Sequence, residues 1–160
     1  MKTKPLALAL VGGVLLAGLP AAVATADDDD DRRKNVTRTG NYTVKKGREI
    51  NGNLTVRNGN VIIRGEVDGT VRQIGRGSVT VARSGSVDGR IIERGSGDVN
   101  VKGDVDGNVV ETNAGHVRIA RTADVDGSVK ERGTGNLAVW RGADIDGAVS
   151  EGGSGRKLRR

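Results

Sequence analysis

The chain has 160 residues with 26 Gly, one Trp, one Tyr, no Phe and no Cys. Its 26 Lys and Arg outnumber 20 Asp and Glu, but the excess is spread along the chain, which argues against a dedicated nucleic-acid binder with a clustered basic face. Zero Cys rules out disulfides, and the scarcity of aromatics means that any core must be made from Val, Ile and Leu.

The N-terminal residues 1–26 read as a signal peptide. Lys2 and Lys4 precede an uncharged apolar stretch, Leu6 to Leu19, and Pro20 leads to Ala24-Thr25-Ala26, which fits an A-x-A cleavage site. The uncharged run Pro5–Ala26 is long enough to span a membrane if uncleaved, but Gly, Pro and Ala dilute its hydrophobicity. Cleavage predicts a secreted or extracytoplasmic protein with no transmembrane segment remaining, and the lack of Cys excludes a lipoprotein anchor. Residues 27–40 follow as a disordered leader, with Asp27–Asp31 acidic and Arg32-Arg33-Lys34 basic.

From residue 41 to 151 the chain repeats. Val67-Asp68-Gly69, Val87-Asp88-Gly89, Val105-Asp106-Gly107, Val125-Asp126-Gly127 and Ile145-Asp146-Gly147 recur, with Ile50-Asn51-Gly52 as a diverged first copy. The steps are 17 to 20 residues. Each step holds four apolar positions. The first is the triplet aliphatic: Val67, Val87, Val105, Val125, Ile145. The second lies four residues on: Leu54, Val71, Ile91, Val109, Val129, Val149. The last two alternate with a polar residue: Val61/Ile63, Val79/Val81, Val99/Val101, Val117/Ile119, Leu137/Val139, with Tyr42/Val44 one step earlier.

Alternating β-branched residues between Gly-rich turns predict strands. A unit this short cannot bury its own apolar face, but stacked copies can. The expected fold is therefore all-β: a single-stranded β-solenoid of five to six coils, 17–20 residues each, with those aliphatics as core columns. An antiparallel sandwich also accounts for short strands and Gly turns. It does not explain why the same residue types recur at every step. Residues 152–160 read as a Gly/Ser linker and a basic tail.

The Val-Asp-Gly-x-Val and Val-x-Val pattern resembles the bactofilins, bacterial polymer-forming cytoskeletal proteins. The resemblance covers about residues 41–151. It implies a short β-helix of stacked coils and end-to-end polymerisation. Bactofilins typically face the cytoplasm, whereas this chain begins with an export-type segment.

Several columns could carry chemistry. Asp68, Asp88, Asp106, Asp126 and Asp146 should stack along one edge, joined by Asp104, Asp124 and Asp144 with Glu66 at that place earlier, and the Asp104/Asp106, Asp124/Asp126 and Asp144/Asp146 pairs offer oxygen ligands to Ca²⁺. Asp-Gly turns account for the same residues without a metal. Glu93, Glu111, Glu131 and Glu151, with Gln73 before them, lie two residues beyond an inward aliphatic. Because a buried unpaired carboxylate is costly, a corner there should leave them exposed. Paired carboxylates can hydrolyse glycosides, but catalysis needs one unusual pair rather than a copied column. His116, without a second His or Cys, reads as a surface residue. Trp140 is placed outward, as a sugar or protein contact or flat beneath a loop. Arg156, Lys157, Arg159 and Arg160 could contact an anionic cell-surface polymer or another copy's acidic leader.

These features predict a non-enzymatic exported scaffold that self-associates through its open ends. The alternative is a surface module binding calcium or an anionic polymer, and a polysaccharide-active enzyme is the third class. No cofactor is expected beyond that calcium, and no nucleic-acid partner.

Overall fold

The computed structural model describes residues 34–160. The signal-peptide segment and the Asp27–Asp31 run lie outside the described residues. Coils follow in chain order. The first is β1 (Val36–Thr39), β2 (Tyr42–Val44) and β3 (Glu49–Ile50). The second is β4 (Leu54–Arg57), β5 (Val61–Ile63) and β6 (Glu66–Val67). Then come β7 (Val71–Gly75), β8 (Val79–Val81) and β9 (Ser86–Val87), followed by β10 (Ile91–Gly95), β11 (Val99–Val101) and β12 (Asp104–Val105). The next coils are β13 (Val109–Asn113), β14 (Val117–Ile119), β15 (Asp124–Val125), and β16 (Val129–Glu131), β17 (Leu137–Val139), β18 (Asp144–Ile145). The last strands are β19 (Val149–Glu151) and β20 (Lys157–Arg159).

Each strand pairs in parallel with its counterpart one coil away, which makes a three-walled β-solenoid of about six turns. The first wall runs β1-β4-β7-β10-β13-β16-β19, the second β2-β5-β8-β11-β14-β17-β20, and the third β3-β6-β9-β12-β15-β18. The register aligns the repeat residue by residue. Val67 lies against Val87, Val87 against Val105, and Val105 against Val125. Val79 pairs with Val99, Val99 with Val117, and Val117 with Leu137.

The aliphatic columns form the core. Leu54, Val71, Ile91, Val109 and Val129 are wholly buried, as are Val61 to Ile119 in the second-wall pairs. Burying each such side chain stabilises by about 1.5–3 kcal/mol before entropy is subtracted. Ile145 and Val149 are half-buried because β18 and β19 are edge strands with a neighbour on one side, and half-buried Val139 has Arg159 rather than an aliphatic as its next neighbour.

Both flanks of the repeat differ from expectation. Residues 36–39, read as leader, form β1 and pair with β4. Gly152–Gly155, read as linker, is the turn of the last coil, and Lys157–Arg159 pairs with β17. The basic tail thus continues the second wall. Its Lys157 and Arg159 stand at places filled by Leu137 and Val139 one coil earlier, so composition hid a strand that the register preserves.

Close stacking also explains one glycine column. A Cβ at Gly115 would lie 1.7 Å from the Gly97 carbonyl oxygen, and one at Gly135 would lie 1.7 Å from that of Gly115. Neighbouring coils approach too closely there for any side chain. Gly152 is different: its Cβ would meet nothing nearer than 3.7 Å.

Val99→Asp places a carboxylate in an aliphatic column and is expected to cost about 4 kcal/mol or more, or to abolish the cooperative melt. Gly115→Ala is expected to be severe, whereas Gly152→Ala leaves the melting temperature nearly unchanged. Arg118→Ala removes a half-exposed ion pair and is expected to cost less than about 1 kcal/mol. Denaturant melts of the four variants test the column and glycine assignments together.

Candidate functional site

The solenoid has two ends, two charged edges and one buried polar column. At the N-terminal end of the described chain a cavity of about 610 Å³ is lined by Val36, Tyr42, Val44 and Ile50 with Lys34 and Arg48. At the other end one of about 410 Å³ is lined by Val139, Ile145 and Val149 with Arg141 and Arg159. Each end is therefore an exposed slice of the aliphatic core rimmed by cations. Arg38 lies over the Tyr42 ring, 5.5 Å from its centroid.

The acidic edge follows the third wall. Asp104 stacks on Asp124 and Asp124 on Asp144. Asp124 is exposed; local desolvation, with repulsion from Asp144, Asp126, Asp104 and Asp146, raises its carboxyl above the ordinary range. Asp106, also exposed, is raised by the same causes, with Asp88 and Asp126 the largest of the repulsions. The tightest convergence is at an earlier pair of coils on the same edge. Carboxylate oxygens of Glu66, Asp68 and Asp88 lie within 4.8 Å of one another. The run Asp104–Asp146, singled out from sequence, is a column of like charges without that convergence.

A basic edge runs along the corner between the second and third walls. Lys45, Arg64, Arg83, Lys102, Arg121 and Arg141 are all exposed there, one cation or more from each coil. Trp140, half-buried, closes a groove beside Lys102, Arg118 and Arg121. The guanidinium of Arg160 sits over its ring, 5.9 Å from the centroid. The outward Trp is thus covered by the chain's last residue. Arg156 sits at the last corner, its N–H donating to Asn136 Oδ1 at 2.9 Å.

That contact is the end of a ladder. Asn60, Ser78, Asp98, His116 and Asn136 each donate their backbone N–H to the side chain of the residue one coil before. The acceptors are Asn41 Oδ1, Asn60 Oδ1, Ser78 Oγ, Asp98 Oδ1 and His116 Nδ1, at 2.8–3.0 Å. His116 is therefore a half-buried acceptor with its Nδ1 committed to Asn136, not a free surface side chain. Every residue at this position carries an acceptor, which is the signal in the sequence for the role. Burial alone would raise Asp98, but the Arg118 ion pair and the His116 N–H outweigh it and hold its carboxyl below the usual range.

The glutamate column overturns its expectation. Glu93, Glu111 and Glu131 point inward and are wholly buried, as is Gln73. The strands β7, β10 and β13 run straight through these positions, so alternation continues and the corner falls later. The glutamates hold the following turn from inside. Glu93 Oε1 accepts the Gly97 N–H at 3.2 Å and Glu111 Oε1 the Gly115 N–H at 2.9 Å. Glu131 Oε1 accepts from Gly133 at 2.8 Å and Gly135 at 3.3 Å. The fixed spacing of four residues from each Glu to Gly97, Gly115 and Gly135 is the sequence signal for this contact. Burial, opposed by the Gly97 N–H, pushes Glu93 up to about 7. Burial, with Glu131 and Glu93 adding, pushes Glu111 to about 8. Closed off from solvent, the column cannot meet a sugar, and the glycosidase reading loses its residues.

Residues 42–150 match the family described as Bactofilin, polymer-forming cytoskeletal. The chain is also 37% identical over 102 residues to the anti-sigma-W factor RsiW of Halalkalibacterium halodurans. That match covers 58% of this chain and 46% of the relative, so the chain spans about half the length of the curated relative it matches. No solved structure matches.

The acceptor ladder gives a direct test at His116. His116→Asn retains an acceptor and is expected to leave stability within about 0.5 kcal/mol. His116→Leu leaves the Asn136 N–H without its partner and is expected to cost about 1–3 kcal/mol in denaturant melts.

Proposed function

The chain belongs to the bactofilin family of polymer-forming cytoskeletal proteins, and from that premise we propose a non-enzymatic scaffold whose solenoids join end to end. The observation that carries this is the pair of open ends. Among the described residues, half-buried Val36 and Tyr42 at one end, and Ile145 and Val149 at the other, are core residues with no coil beyond them. Parallel edge strands there leave main-chain groups for another coil to pair with. A second copy supplies the same columns and the same strand spacing. Lys157 and Arg159 blunt the second wall at the C-terminal end, so the first and third walls make the contact.

Cations rim both ends, and their repulsion opposes direct stacking. Salt screens exposed charges over about 8–10 Å at physiological strength. Assembly therefore strengthens with ionic strength. We place the scaffold outside the cytoplasmic membrane, a reading supported by Lys2, Lys4, the apolar stretch and Ala24-Thr25-Ala26. Among the described residues no helix is long and apolar enough to cross a membrane. The intact mass of protein recovered from cells tests export: the mass of residues 27–160 supports it, and the uncut mass removes it.

The basic edge favours a second role, contact with a linear polyanion at the cell surface. One cation or more per coil matches a repeating negative charge better than a compact ligand. Inorganic polyphosphate is the probe: R83E/K102E/R121E is expected to lose binding while still melting cooperatively. The acidic edge offers calcium its best place at Glu66, Asp68 and Asp88. A calcium-induced rise in melting temperature that Asp88→Asn removes would support that site, and no rise up to millimolar calcium would dismiss it.

Tyr42→Lys and Val149→Lys place a further charge on each open end. Electron microscopy and light scattering are expected to show short or absent polymers for both, with a melting temperature close to the parent's. Polymers of unchanged length would remove the end-to-end contact.

A further inference from the structure

Among the described residues, four buried side-chain oxygens lack a hydrogen-bond partner: Gln73 Oε1, Glu93 Oε2, Glu111 Oε2 and Glu131 Oε2. They belong to one column, because Gln73 is in register with Glu93, Glu93 with Glu111, and Glu111 with Glu131. The other polar atom of each side chain is already engaged. Gln73 Nε2 donates to the carbonyls of Arg76 at 3.0 Å and Gly59 at 3.4 Å. The Oε1 atoms of the glutamates accept the glycine N–H groups described above. Before Gln73 the column continues in Val56, which is apolar and wholly buried. After Glu131 it reaches Glu151, which is half-buried and accepts from the Gly153 N–H.

A row of acceptors with no donor is costly inside a protein. Three ionised carboxylates stacked at about the 4.8 Å strand spacing would add mutual repulsion. Protons remove both problems. Three acid O–H groups can link four oxygens in a line: Glu93 to Gln73 Oε1, Glu111 to Glu93 Oε2, and Glu131 to Glu111 Oε2. No orphan is then left. Gln73 ends the row, since its oxygen accepts and its own group cannot ionise.

We propose that the buried column Glu93–Glu111–Glu131 is held together by shared protons in the folded solenoid. Joined by O–H···O bonds that end on Gln73, these side chains make the rod's stability depend on proton uptake. The facing side chains of the other walls are aliphatic: Val99, Val101, Val117, Ile119 and Leu137 on the second, Val105 and Val125 on the third. The charged groups acting on Glu93 and Glu111 are each other, Glu131 and Asp98. Asp98, held ionised by Arg118, adds to the case against a second negative charge at Glu93.

The sign follows from linkage. In the unfolded chain these carboxyls ionise near the ordinary value of 4.5, whereas the folded ones hold their protons to about 7 at Glu93 and about 8 at Glu111. Their contribution is complete below the unfolded value and is lost as pH rises through the folded ones. Between about pH 5 and 7 Glu93 and Glu111 each lower the folding equilibrium constant about tenfold per pH unit. The inference concerns the fold and does not require that the rods polymerise.

Denaturant melts of the full chain at pH 5, 7 and 9, in salt high enough to screen the exposed acidic edge, are the test. The parent is expected to lose stability steadily from pH 5 to 8. Glu111→Gln and E93Q/E111Q/E131Q copy the residue already present at position 73. Their pH dependence is expected to flatten, and they should be more stable than the parent at pH 9. An unchanged slope in variants that fold would overturn the proposal. Carbon-13 labelling of the parent's glutamate carboxyls gives a readout that needs no variant. Buried carboxyls titrating above about pH 6.5 support the ladder, and titration of all of them near the ordinary value overturns it.

Discussion

Parallel main-chain pairing between coils, kept in register over the repeat, is the constraint on which the rest of the structure depends. It places each residue against its counterpart one coil away. An aliphatic residue so placed gains a like neighbour on either side and becomes part of a core without needing a second layer of structure. A glycine so placed permits its neighbour's carbonyl to approach. A charge so placed meets its own sign. The same geometry therefore stabilises some columns and burdens others, and the residue types chosen for each column answer that difference.

Polar columns answer it in two ways. At the corner before the second wall, Asn41, Asn60, Ser78, Asp98, His116 and Asn136 differ in size and charge but share an acceptor. The contact runs from side chain to the next coil's main chain, so like residues never have to satisfy each other. Inside the first wall the glutamates spend one oxygen in the same manner, on the turn's N–H groups. The second oxygen has no main-chain donor, and only there does the column depend on its own members. On the acidic edge water is available, and crowding is tolerated with raised carboxyl values at Glu66, Asp106 and Asp124.

The core was legible because strand period and coil period are both visible in one dimension. Val79-Thr80-Val81 states its own alternation, and the Val-Asp-Gly recurrence states the stacking. The buried glutamates are not legible from the cost of a single buried charge, because each meets its own copies and a turn's N–H groups. The strand at Lys157–Arg159 was hidden for a related reason. Its places in register with Leu137 and Val139 hold exposed cations, so no apolar alternation marks the strand in the sequence. His116 is solitary as a metal ligand, whereas the side-chain acceptor it shares with Asn60, Ser78, Asp98 and Asn136 is the feature legible in the repeat.

The glycine column has a consequence for how such a chain can change over generations. A side chain at Gly115 would collide with the carbonyl of Gly97, so the position resists alteration one residue at a time. Duplicating or deleting an entire coil leaves every such approach intact, because the new junction repeats an old one. Substitution is thus penalised at the position where wholesale repetition is free. The length of the rod becomes a heritable quantity that changes in discrete steps of one turn, each about 4.8 Å, while the cross-section is held fixed.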